Sequence, residues 1–188
     1  LVLVHLMSGL AQVRAGRIDQ ARGHLQMQER LFNSGVEAEN WWHRALEGEI
    51  ALAAGDLEKA ASAFSAGQPG KKMWFSTFNS NLSILANNLM SRDGLARVAK
   101  ARGDLPRAIQ IYRQLLSYGP DQKWVSAFEP RYVLEIARLL DRSGDSQAAL
   151  KEYRRFLEFW KRADSGLPEP LEARRAVERL SSVARATP

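Results

Sequence analysis

Two stretches of this chain are one pattern written twice, and that repetition constrains the fold more than any single residue does. Asp93 to Tyr112 and Val133 to Tyr153 each hold an apolar helical segment with a small residue near its middle, then a Gly-Asp pair. An Ala follows five residues after the Gly and a Tyr nine after it. Glycine just past a helix C-terminus adopts the left-handed conformation without a Cβ clash, and the Asp after it can cap the free N–H groups of the next helix. Each stretch therefore predicts a helix, a tight turn and a second helix. A helix pair of this size cannot bury its apolar face alone, so it has to stack on copies of itself.

The same template recurs in worn form at Gly16 (Ala21, Leu25) and Gly55 (Ala60, Phe64), ahead of Gly103 (Ala108, Tyr112) and Gly144 (Ala149, Tyr153). The intervals between these glycines are 39, 48 and 41 residues. The pattern resembles the tetratricopeptide repeat (TPR), a helix-turn-helix unit of about 34 residues. The resemblance implies an all-α fold of antiparallel helix-turn-helix repeats stacked as a right-handed TPR superhelix, an α-solenoid. The units are expected at about 1–33, 38–67, 89–122 and 130–163, within a single domain spanning 1–188.

Residues 68–88 are expected as a linker or extra helix, since Gly67 to Lys72 breaks the helical pattern and the Asn- and Ser-rich stretch after it competes for backbone hydrogen bonds. Asn33-Ser34-Gly35 should stop the helix before it. Gly9 and Gly48 fall at the small position of a first helix, where its own second helix must approach. Phe64, Tyr112, Tyr153 and Trp160 are expected in the core. A helix from Ser146 to Arg162 leads by a loop to a capping helix, 170–186, with Leu171, Val177, Leu180 and Ala184 on one face and Arg174, Arg175 and Arg179 opposite.

With 45% hydrophobic and 26% charged residues the chain is globular in composition. It has no cysteine, which excludes disulfides and thiolate metal sites. A net charge of +6 favours acidic partner surfaces. The opening run Leu1 to Met7 breaks at Ser8-Gly9, short of the ~20 apolar residues a membrane span needs, and no basic segment precedes it. The chain is accordingly placed in the cytoplasm. Because it starts inside an apolar helix without an initiator Met, it reads as a piece of a longer protein, with Leu1, Leu3 and Leu6 exposed.

The TPR resemblance further implies a concave groove lined by the first helix of each repeat. The matching positions are Trp42, Ala45, Glu49 and Leu52, then Met90, Asp93, Arg97 and Lys100, then Arg131, Leu134, Arg138 and Asp141. Arg97, Lys100, Arg131, Arg138 and Arg142 form a basic strip that could hold a carboxylate-bearing peptide by charge-assisted hydrogen bonds. The competing reading is a solvated face whose cations pair locally with Asp93 and Asp141. Some TPR domains hold chaperone C-terminal peptides through a fixed Lys/Asn set; here the unit-one positions are Leu6 and Leu10, which do not supply it.

The segment Tyr153 to Asp164, with Leu167-Pro168-Glu169, looks similar to C-terminal TPR tails of large bacterial signalling and regulatory proteins. That similarity implies a protein or peptide partner, or docking onto the parent protein's own domain, and a non-enzymatic role.

Other chemistries are weaker. His5, His24 and His43 are nineteen residues apart, but no carboxylate recurs beside all three, so no metal site is expected. No nucleophile and base pair or phosphate-binding glycine loop stands out, and Glu47, Glu49 and Glu135 are expected as solvated helix-face charges; no catalytic residue and no cofactor is assigned. Lys71-Lys72 beside Met73-Trp74-Phe75 and Phe78 could stack bases on a basic platform. Without a recognised reading motif, nucleic acid remains the alternative to a protein partner.

Overall fold

In the computed structural model every regular element among the described residues (2–31, 40–67, 89–118, 128–162, 164 and 166–186) is an α-helix. These helices are α1 (Val2–Arg14), α2 (Ile18–Leu31), α3 (Asn40–Ala53), α4 (Leu57–Ala66), α5 (Leu89–Ala101), α6 (Leu105–Ser117), α7 (Glu129–Arg142), α8 (Ser146–Phe159) and α9 (Pro168–Ala186). They fall into two compact units, Leu1–Asp104 with α1 to α5 and Leu105–Pro188 with α6 to α9.

The turns are the template made physical. Gly16, Gly55, Gly103 and Gly144 all have φ between 72° and 84°, the left-handed region that a Cβ opposes by about 1–2 kcal/mol. At each of the four, the glycine N–H donates to the carbonyl three residues back and the next N–H to the carbonyl five back, as in Gly144→Asp141 (3.1 Å) and Asp145→Leu140 (3.0 Å). This double bond set is the Schellman ending of a helix, and it satisfies carbonyls that would otherwise be orphaned. At two of the turns the Asp after the glycine then caps the next helix. Asp56 Oδ1 accepts from the N–H of Lys59 and Asp145 Oδ1 from that of Ala148, each at 3.0 Å. At Gly55-Asp56 and Gly144-Asp145 one short signal thus ends one helix and starts the next.

In the first unit, Leu6, Ala21, Leu46 and Ile50 form one buried cluster with Trp42 and Met90 packed against it, and Ala51, Ala60, Phe64 and Val98 form another. The template Ala residues, Ala21 and Ala60, are fully buried because only a methyl group fits where the paired helices cross. Gly48 and Gly94 sit against the ring of Phe64, so that a Cβ added at either would lie within 2.6 Å of a ring carbon. Gly9 differs from expectation: the side chain closing on it is Leu46 of α3, at 2.7 Å from a built Cβ, not its own second helix. The small residue there serves stacking between repeats.

In the second unit, α7 is buried along nearly its whole length, and Tyr112, Tyr153 and Phe156 complete the core around it. Several expected boundaries and faces move. Helix α8 stops at Phe159, where Trp160 caps it, and Trp160 is a third exposed beside Phe156 and outside the core. Helix α9 begins two residues early, at Pro168. Its buried seam runs through Pro170, Ala173, Ala176 and Leu180, while Leu171 is exposed and Val177 half-buried. Apart from Leu180 the seam residues are small and let α9 lie close on α8, while Leu171 and Val177 fall to its flanks. Leu6, expected to be exposed, is 2% accessible and belongs to the core. The expectations for Leu1, Asn33-Ser34-Gly35, the 68–88 segment and Ala184 lie outside the residues, or side chains, described.

Candidate functional site

The residues predicted to line a groove divide between the two units. In the first, Trp42 and Met90 are half-buried and brace the Leu6–Leu46 cluster. Ala45 and Asp93 are buried. Arg97 extends from α5 toward α3, where its two terminal nitrogens grip both oxygens of Glu49, Nη1 at 3.0 Å from Oε2. Its Nε donates to Asp93 Oδ2 at 2.9 Å. The guanidinium carbon also lies 6.0 Å from the centre of the Phe64 ring. Planar, forked and always charged, Arg suits this two-point grip in a way that Lys cannot. Lys100 is half-buried in the last turn of α5.

In the second unit Arg138 repeats the arrangement. Its Nη1 donates to Glu135 Oε1 at 2.6 Å, one turn back on α7, while Nε and Nη2 donate to the two oxygens of Glu172 on α9 at 2.8 and 2.5 Å. These hydrogen bonds, Glu172 first, hold the guanidinium charged against the opposing effect of burial. Leu134 is buried, and Arg131 and Arg142 are exposed on α7. Arg142 closes the last turn of α7, where the helix dipole favours a cation.

The two arginines at the centre of the predicted strip are therefore engaged by carboxylates of their own fold. Asp93 pairs with Arg97 as the competing reading has it, but Asp141 pairs with Arg179 of α9. Glu49 and Glu135, expected as solvated charges, are instead shielded and paired. The cross-helix Glu partners escaped sequence reasoning because they lie 48 and 34 residues from their arginines. The available signal was that Arg97 and Arg138 hold the same place relative to Gly103 and Gly144.

The Tyr153 phenol, beneath this network, is pushed up to about 12 by burial first and then by the nearby charges of Asp141 and Glu172. His43 is lowered from the usual imidazole value by burial, against the opposing pull of Glu29 and Glu47. Its Nε2 is 3.6 Å from Glu29 Oε1. His5 and His24 meet each other, with their Nδ1 atoms 3.1 Å apart across α1 and α2. Among the described residues no group of three or more metal-ligating side chains converges, and no helix is long and apolar enough to cross a membrane. A cleft of about 560 Å³ between α6 and the α7–α8 turn is lined by Pro106, Ile109, Arg113, Leu140 and Asp145, among others. None of the predicted groove residues borders it.

No protein-family model and no curated protein sequence matches the chain. Solved structures do. A Podosopora anserina structure of nearly identical TPR-like repeats, assigned to a kinesin light chain, superposes with a TM-score of 0.65 at 15% identity, covering 99% of this chain and 88% of that one. A point-substituted form of the same protein gives 0.65 and 15%, with 87% of that chain covered. The fold of this chain is thus that of TPR-like helical repeats.

Proposed function

We propose that the chain is a non-enzymatic protein-interaction module, in which first-helix surfaces receive a peptide or partner segment bearing carboxylates. The observation that carries this reading is the TPR-like fold, an architecture suited to scaffolding, combined with cationic side chains on the faces of α5 and α7. The arginines divide the work. Arg97 and Arg138, each gripped by a cross-helix Glu, fix the spacing of the helices that make the surface. In the first unit Lys100 is assigned to partner contact, with Trp42 and Met90 offering apolar contact and Glu49 holding Arg97 in place; in the second unit Arg131 and Arg142 are assigned to it.

Charge-assisted bonds from such cations to carboxylates contribute roughly 1.5–3 kcal/mol each. Two or three of them, with some apolar burial, suffice for micromolar affinity. The net charge of +6 would speed the encounter with an acidic partner. We assign the module to a bacterial signalling or regulatory protein of the cytoplasm, on the similarity of its C-terminal segment to such tails.

Selection of random peptides displayed on phage against the immobilised chain tests the reading. It predicts enrichment of acidic sequences; enrichment of basic or purely apolar ones, or none above the uncoated surface, contradicts it. Nucleic acid is the second reading, favoured only by the same cations. It predicts binding of a single-stranded oligonucleotide at low salt that falls steeply as salt rises.

A further inference from the structure

The three evenly spaced histidines part company in the fold. His43 of α3 turns to Glu29, whereas His5 of α1 and His24 of α2 face each other, Nδ1 to Nδ1 at 3.1 Å and with ring centres 5.4 Å apart. Both are half-buried, and neither ring has another hydrogen-bonding partner among the described residues. The helices hold them in place. Leu6, next to His5, is 2% exposed in the core; Ala21, one turn before His24, is fully buried; and the turn at Gly16 joins the two helices. Two neutral imidazoles can share such a contact only if one Nδ1 carries a proton and donates it while the other accepts. An ion in place of that proton uses both lone pairs at once. With metal–nitrogen distances of roughly 2.0–2.1 Å, two imidazoles at the tetrahedral angle around one ion have their nitrogens about 3.3 Å apart and their ring centres about 5.2 Å apart. Both spacings in the chain lie within about 0.2 Å of these, and a modest swing of each ring turns the two lone pairs onto one point.

We propose that His5 and His24 form an open site for a divalent transition-metal ion, which clips α1 to α2. Imidazole nitrogen suits copper, nickel and zinc, whereas magnesium and calcium take oxygen ligands; within the first group Cu2+ binds tightest. Local charge does not oppose a cation. The one full charge of α1, Arg14, lies in its last turn, and Arg22, two residues from His24, is held by Asp19 at 2.9 Å. No third metal-ligating side chain joins the pair among the described residues, so water completes the coordination shell and the ion is exchangeable, unlike one in a closed four-ligand site. A search of the sequence for a carboxylate beside all three histidines passes over a site made of two. The site shares no residue with the cationic surface, and the inference is independent of it.

Calorimetric titration of the chain with CuCl2 and ZnCl2 tests this. Both ions are expected to bind, Cu2+ the more tightly, and MgCl2 to give no heat of binding. His5→Gln and His24→Gln, which keep a polar side chain at each place, should each lower the affinity for Cu2+ at least tenfold with helical circular dichroism unchanged. ZnCl2 should raise the melting temperature of the natural chain and of neither variant, because the ion favours the state that holds the two rings together. The natural chain also gives a readout that needs no variant: with half an equivalent of Cu2+, pulsed electron paramagnetic resonance should show two coordinating imidazoles. Absence of binding, fewer than two imidazoles on the copper, or full affinity in either Gln variant overturns the proposal and leaves the pair as a hydrogen-bonded contact alone.

Discussion

Gly94 of α5 lies against the ring of Phe64 of α4 so closely that a Cβ at residue 94 would fall 2.5 Å from a ring carbon. Gly48 meets the same ring from α3 at 2.6 Å. One aromatic side chain is thus held between two glycines of successive first helices, and the cost of glycine within a helix, about 1 kcal/mol, is offset by fully burying a Phe, about 2–3 kcal/mol.

Gly94→Ala should therefore destabilise the chain by about 1–3 kcal/mol through overpacking, despite the better helix propensity of Ala. Urea unfolding followed by circular dichroism measures this. Phe64→Leu should recover part of the loss in the double variant, because the two positions share one space. A stabilised Gly94→Ala would mean that the ring does not sit there.

The Arg97–Glu49 grip predicts a contrast between two ion pairs of the same unit. Both partners are largely shielded, so Glu49→Ala, which removes the two-point grip on the guanidinium, should cost about 2 kcal/mol. Arg102–Glu58 joins two exposed side chains, and Glu58→Ala should change stability by about 0.5 kcal/mol or less. Equal effects in thermal or urea unfolding would show that shielding is not what distinguishes them.

His43 predicts an acid-side loss of stability. Burial lowers its pKa below the ordinary imidazole value of 6.5, so the folded chain holds it neutral where the unfolded chain takes up a proton. Its contribution is complete above pH 6.5 and is lost as the pH falls from there toward the lowered folded value. Melting temperatures over that range should fall more steeply for the natural chain than for His43→Gln. Parallel curves would show that His43 is not the titrating group.

What was legible in the sequence was local. Gly144, Asp145 and Ala149 specify a turn by backbone chemistry within six residues, and the tight turns at Gly16, Gly55, Gly103 and Gly144 follow from that signal. What was not legible depends on which helix arrives from elsewhere. The glycine at position 9 announced a close approach but not that Leu46 makes it, and Trp160 shows the same periodicity as Phe156 yet lies past the end of α8. The cationic strip was readable as a set of residue types. Its division was not, because Glu49 and Glu172 reach their arginines only through the packing of helices distant in sequence.

The central claim of the proposed reading is that Lys100 on α5, and Arg131 and Arg142 on α7, contact an acidic partner, while Arg97 and Arg138 each brace the helices of their own unit. Its most direct test is a fluorescence-anisotropy titration of a display-selected acidic peptide against the chain and against the Lys100→Glu, Arg131→Glu, Arg142→Glu triple variant. The account predicts at least a tenfold loss of affinity with helical content preserved, since each charge-assisted bond contributes roughly 1.5–3 kcal/mol. Unchanged affinity in the well-folded triple variant would contradict it.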